Sequence, residues 1–167
     1  MNDVIKNTAL FIGLVLVQVI VLNNILFWGY INPLPYILFV IIYPVKKDRG
    51  LFLLLSFLLG LCIDFFSDSG GVNAAATLFI AYIRLPLLKG LLRKPEIDFP
   101  VFTIFKLPFL RLLSFIAILT FVHHFILFGL EYFKLNMILT IFSKTFLTSI
   151  FTIILLILSL LFMDKNK

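Results

Sequence analysis

The sequence predicts an all-α integral membrane protein, a six-helix transmembrane bundle with almost no mass outside the bilayer. Two observations carry this. Of 167 residues, 62% are hydrophobic and only 13% charged, against about 45–50% apolar and about 25% charged in a soluble domain. Mean hydropathy is +1.17, and the apolar residues fall into runs separated by short polar breaks. Such a chain has too little polar surface to cover a water-soluble globule. One span needs about 20 apolar residues, so the length suits five or six spans in a single transmembrane domain and leaves no room for a soluble one.

The first run, Thr8 to Phe27, is interrupted only by Gln18, Asn23 and Asn24. At ~1.5 Å per residue it covers ~30 Å, a full hydrocarbon core. Trp28 and Tyr30 follow where an aromatic interfacial belt belongs. No small-residue cleavage site follows the run, so it reads as a retained span. The second run, Leu34 to Val45, starts at Pro33-Leu34-Pro35 and ends at Pro44 and Lys46-Lys47-Asp48-Arg49; its roughly 12 residues cover only ~18 Å. The third, Leu51 to Phe66, is also short and stops at the turn Ser67-Asp68-Ser69-Gly70-Gly71. The fourth opens with Asn73, a good N-cap residue, and continues to Leu92. Residues 93–108 carry three prolines and read as a loop, with an interfacial piece at Phe99 to Phe105. The fifth run is Phe109 to Leu130, and the sixth extends from about residue 136 to Met163.

With six spans, Lys6, Lys46, Lys47, Arg49, Lys89, Arg93, Lys94, Lys106, Lys165 and Lys167 share one side. The opposite side holds the uncharged 28–32 turn, the Asp68 turn, and Glu131 with Lys134. The positive-inside rule then places both termini in the cytoplasm. In this setting the net charge of +6 is a topology signal, and no nucleic-acid partner is expected.

Charged residues within spans cost roughly 2.5–3.5 kcal/mol each. Asp64 falls near the outer end of the third span and Arg84 about midway along the fourth. A buried pair between these neighbouring helices is one arrangement. Separate snorkelling to interfacial water is the other, and depth favours it, because Arg84 lies ~16 Å below Asn73. Arg111 and Lys144 read as snorkelling residues near span ends. His123 and His124, being adjacent, point about 100° apart and make no chelating face. Thr145, Thr148, Ser149 and Thr152 follow i, i+3, i+4, i+7 spacing, one helical face suited to close packing and interhelical hydrogen bonds. Cys62 is alone and reads as a small buried hydrophobe. Gly70-Gly71 could present an anion-binding helix start, but a turn needing positive φ is the simpler use. No metalloprotease, nucleophile-elbow or phosphate-loop motif occurs, so neither an enzyme nor a cofactor nor a metal is expected.

Gly60-Leu61-Cys62-Ile63-Asp64-Phe65-Phe66-Ser67, followed by Gly71-Val72-Asn73-Ala74-Ala75-Ala76, resembles the central block of the rod-shape-determining MreD family: a Gly-x-x-x-Asp span, a polar turn, then Gly-x-Asn-Ala opening the next helix. Gln18 in the first span, Tyr30-Ile31-Asn32-Pro33 before the second and the basic cluster after it fit the same pattern, and the resemblance covers about residues 10–90. It implies a non-enzymatic subunit of the machinery that elongates the bacterial cell wall. The partners it implies are MreC directly and, in the same complex, MreB, RodA and its transpeptidase; no small-molecule substrate is implied. It also implies a bundle similar to the membrane substrate-binding subunits of energy-coupling-factor transporters, which include short spans. The family pattern suggests a fixed hairpin, with Gly71 in its turn, in which Gly60 admits a close helix, Asp64 accepts hydrogen bonds from the start of the fourth span, Asn73 caps it, and Ala74 to Ala76 keep the contact tight. The alternative from another class is a vitamin-type transport subunit with a polar outer pocket drawn from Gln18, Asn23, Asn24, Asp64, Asn73 and the histidines.

Overall fold

The computed structural model describes residues 3–27, 29, 31–45, 49–93, 104–133 and 135–164. Expectations placed on Trp28, Tyr30, Lys46 to Asp48, Lys94, most of the 93–108 loop with Phe99, Lys134, Lys165 and Lys167 lie outside these residues.

The protein is an all-α membrane bundle. Helix α1 (Asp3–Leu16) continues through a π-helical turn, Val17–Val21, and a 3-10 turn, Leu22–Asn24. A 3-10 turn, Pro35–Ile37, leads into the short α2 (Leu38–Ile42). Then come α3 (Gly50–Ser67), α4 (Val72–Leu92), α5 (Phe109–Tyr132) and α6 (Ile138–Asp164), the last entered through a 3-10 turn, Leu135–Met137. Among the described residues, five helices are long and apolar enough to cross a membrane: Val4–Asn24, α3, α4, α5 and α6.

The two runs expected to be short behave differently. The third is a full helix of 18 residues, ~27 Å long, and it faces outward through Leu51, Leu54 and Leu61. The correction comes from Gly50 and Ser67, which extend the helix past the apolar residues at each end. The second is helical only over residues 35–42, and it is enclosed: Tyr36, Ile37, Phe39, Val40 and Ile41 have no measurable exposure. A segment walled in by protein does not have to match the thickness of the hydrocarbon layer, so it stays short and partly unwound.

This segment packs mainly against α1, α4 and α6, and the long helices pack in series. α3 packs against α4, α4 against α5, and α5 against α6. The α3–α4 contact is the closest. A Cβ built on Gly60 would stand 2.5 Å from the Asn73 carbonyl oxygen and 2.6 Å from the Ala74 Cα, so the two backbones touch where only glycine fits. The connecting turn uses left-handed backbone at Asp68, Gly70 and Gly71, with φ of 50°, 67° and 95°, which the two glycines adopt without steric cost. At the same end of the bundle, Asn23 at the close of the first span donates to Ser67 Oγ at 2.8 Å.

Candidate functional site

The polar side chains inside the apolar runs converge on two places, the start of α4 and the enclosed second segment. At the start of α4, Asp64 is the centre. Its Oδ1 accepts from Ser69 Oγ (2.6 Å), Asn73 N (2.9 Å) and Asn73 Nδ2 (3.0 Å), and its Oδ2 accepts from Ala74 N (2.7 Å). The second and third N–H groups of a helix are the ones an N-cap side chain normally satisfies. Here the cap comes from the neighbouring helix. Asn73 is therefore not the N-cap residue expected of it: Gly71 occupies that position and has no side chain to offer. Asn73 instead spreads the carboxylate's influence inward.

Because Asn73 Nδ2 faces Asp64 and Ser69, its Oδ1 must accept, and it takes the Tyr36 hydroxyl at 2.8 Å. The single Tyr36 proton is thereby used, so the contact with His123 Nε2 at 3.0 Å runs the other way, with His123 donating. Thr77 agrees: its hydroxyl donates to the Asn73 carbonyl at 2.7 Å and accepts from His123 Nε2 at 3.4 Å. His123 thus carries its proton on Nε2, and Nδ1 is buried without a partner among the described residues. His124 takes the opposite tautomer. Its Nδ1 donates to the Thr120 carbonyl at 2.8 Å, and Nε2 accepts from Thr152 Oγ1 at 3.2 Å. Both rings are fully buried. Among the described residues no group of three or more His, Cys, Asp or Glu side chains is arranged to hold a metal ion.

The second segment is tied at every irregular point by these spans. Gln18 Nε2, at the π-helical turn, donates to the Pro33 carbonyl at 3.2 Å. Leu34 N donates to Thr152 Oγ1 at 3.1 Å. At the other end, Arg84 Nη2 donates to the Ile41 carbonyl at 3.0 Å and to the Tyr43 carbonyl, groups left open where α2 ends. Arg84 is 4% exposed and lies over the Phe52 ring. Asp64 and Arg84 do not meet: they bond at different levels, Asp64 to the start of α4 and Ser69, Arg84 to the carbonyls at the end of α2. Neither snorkels, since 4% of each is exposed. Arg111, by contrast, is exposed.

Thr145, Thr148, Ser149 and Thr152 are all buried, so the expected face on α6 is directed into the bundle. Only Thr152 is joined to the second segment, while the Thr145 and Ser149 hydroxyls have no hydrogen-bond partner among the described residues. Cys62 is half-buried and unpaired among the described residues. What sequence reasoning missed is Tyr36. It sits in a run whose shortness was visible, and a tyrosine hydroxyl in such a run has to find a partner.

Above this network, at the Asn23–Ser67 end, lies an open cavity of about 940 Å³. Asn23, Asn24, Asn32, Asp68, Ser69, Asn73, Glu131 and Lys144 give it a polar wall, and Leu34, Phe66 and Phe128 an apolar one. Lys144 does not extend freely: its ammonium stands 5.7 Å and 5.0 Å from the Phe128 and Tyr132 ring centres. Of the expected pocket residues, Asn23, Asn24 and Asn73 line the cavity, while Gln18, Asp64 and both histidines lie outside its lining.

Compared with family models, curated proteins and solved structures, the chain matches none.

Proposed function

We propose that this chain is a non-enzymatic scaffold subunit of the bacterial cell-wall elongation machinery, similar to the MreD family, which binds MreC through its membrane helices and so helps to maintain rod shape. One observation supports the reading above others. The block that carries the resemblance, Gly60 to Ala76, contains the place where two helices touch backbone to backbone and share one carboxylate. MreB, RodA and its transpeptidase belong to the same assembly on this reading.

The proposed topology has six crossings, both termini in the cytoplasm and the bacterial plasma membrane as the location. The Asn23–Ser67 bond supports it: the first span and α3 end on the same side, which fits a return of the chain between them to the side where α3 begins. The second segment would then be a crossing shielded from lipid. Purification of the tagged chain from detergent together with MreC tests the function. Co-purification that Asp64→Ala abolishes is the expected result, and no co-purification overturns the proposal.

A second reading has its own support in the end cavity, whose volume and mixed lining suit a substrate-binding membrane subunit of a small-molecule transporter. Tight capture of a vitamin-like ligand without MreC binding would favour it.

A further inference from the structure

We propose that Arg49 and Arg84 form a site for the phosphodiester headgroup of an anionic membrane lipid. It lies at the end of the bundle where α3 begins, away from the cavity, and stands independently of the function proposed above.

Arg49 and Arg84 line one cleft with Pro44, Phe52 and Leu85, and its volume is about 20 Å³, room for a single water molecule. Arg84 Nη2 is spent on the Ile41 and Tyr43 carbonyls, and its Nε is buried without a partner among the described residues. Arg49 Nη2 donates to the Ala81 carbonyl at 3.3 Å and to the Tyr82 carbonyl. The Tyr82 carbonyl is free to accept because Pro86, four residues on, has no N–H. Every acceptor found by these two cations is therefore a neutral carbonyl. Among the described residues, neither forms an ion pair with a carboxylate. Arg84 is buried in the bundle and Arg49 half-buried at its end; two neighbouring positive charges with no carboxylate partner among the described residues are costly, and an external anion would relieve that cost.

The direction from which the anion arrives is also given. α4 exposes Leu78, Phe79, Tyr82 and Pro86, an apolar stripe, and Arg49 docks on this stripe at Tyr82, its guanidinium 5.8 Å from the ring centre. A lipid whose acyl chain follows the stripe brings its headgroup to Arg49. The cleft is too small to admit a phosphate, so the phosphate sits at its mouth. There the Arg49 fork, whose hydrogen bonds among the described residues use Nη2 alone, binds it and Arg84 adds charge from behind. Basic pockets between helices are a known way of holding acidic headgroups.

The test is native mass spectrometry of the full chain in a non-ionic detergent, with phosphatidylglycerol, phosphatidylcholine or inorganic phosphate added. The expected result is several-fold higher occupancy by phosphatidylglycerol than by phosphatidylcholine. Arg49→Gln should remove most of that preference, and Arg49→Lys should retain part of it. Millimolar inorganic phosphate should leave the lipid adduct in place. Equal occupancy by the two lipids, or an Arg49→Gln variant with the wild-type preference, overturns the proposal. Displacement of the lipid by inorganic phosphate assigns the cleft to free anions and overturns it as well. If Arg49→Gln fails to fold, the Arg49→Gln/Pro86→Ala variant, which restores the helix bond at Tyr82, takes its place in the comparison.

Discussion

Asp64 caps a helix to which it does not belong: both its oxygens accept from the first turn of α4, at Asn73 N and Ala74 N. The carboxylate therefore holds the α3–α4 hairpin closed and satisfies the Asn73 and Ala74 N–H groups of that turn. Asp64→Ala would strand two buried donors, each costing about 1–3 kcal/mol. Asp64→Asn would keep one acceptor and turn its NH₂ towards donors. Thermal unfolding in detergent should rank wild type above Asn and Asn above Ala. Equal midpoints for the three proteins would exclude the capping role.

Gly60 makes the same hairpin possible by having no side chain. A methyl group there meets backbone, not a flexible side chain, at 2.5 Å and 2.6 Å, so the helices must separate. Gly60→Ala should destabilise the bundle by about 1–3 kcal/mol. Gly13→Ala is the control, because a Cβ at Gly13 meets nothing within 4 Å. A loss of detergent stability confined to Gly60→Ala is the expected outcome of a melting comparison.

These residues show how far the sequence is legible. The apolar runs predict α1, α3, α4, α5 and α6, because a lipid-facing helix must show its length as an unbroken stretch. The second segment escapes that rule. Buried on all sides, it answers to its neighbours, and nothing in Leu34 to Val45 announces that Gln18, Arg84 and Thr152 serve its backbone. Gly60 and Asp64 were readable through their four-residue spacing, which puts both on one face. Asn73 was misread as a cap since the cap sits on another helix. Neither the Asp64–Arg84 pair nor the separate snorkelling that depth favours is found, for a related reason: partners in lipid include backbone carbonyls and N–H groups, which a search for opposite charges or for water overlooks.

The line from Asp64 through Asn73 and Tyr36 to His123 should act as a unit. Tyr36→Phe removes the donor to Asn73 Oδ1 and the better acceptor of His123 Nε2–H. A cost of about 1–2 kcal/mol is expected. In a double-mutant cycle with His123→Phe, the two substitutions should couple by about 0.5–1.5 kcal/mol, the range of interhelical hydrogen bonds in membrane proteins. Strict additivity would show that the two rings pack side by side without an energetically meaningful bond.

Arg84 is expected to tolerate less than Arg49. Arg84→Leu uncaps the Ile41 and Tyr43 carbonyls inside the bundle, and protease accessibility of the α2–α3 connection should rise. Arg49 serves the carbonyl that Pro86 leaves open, so the two positions should compensate. Arg49→Gln alone should cost about 1–2 kcal/mol by stranding the Tyr82 carbonyl. Pro86→Ala returns an N–H to that carbonyl through the ordinary i to i−4 helix bond. In the Pro86→Ala background, Arg49→Gln should then cost less than half as much, read as the difference in unfolding midpoint between the paired variants. The same loss in both backgrounds would mean that Arg49 stabilises the bundle through its Tyr82 ring contact, and not through the carbonyl freed by the proline.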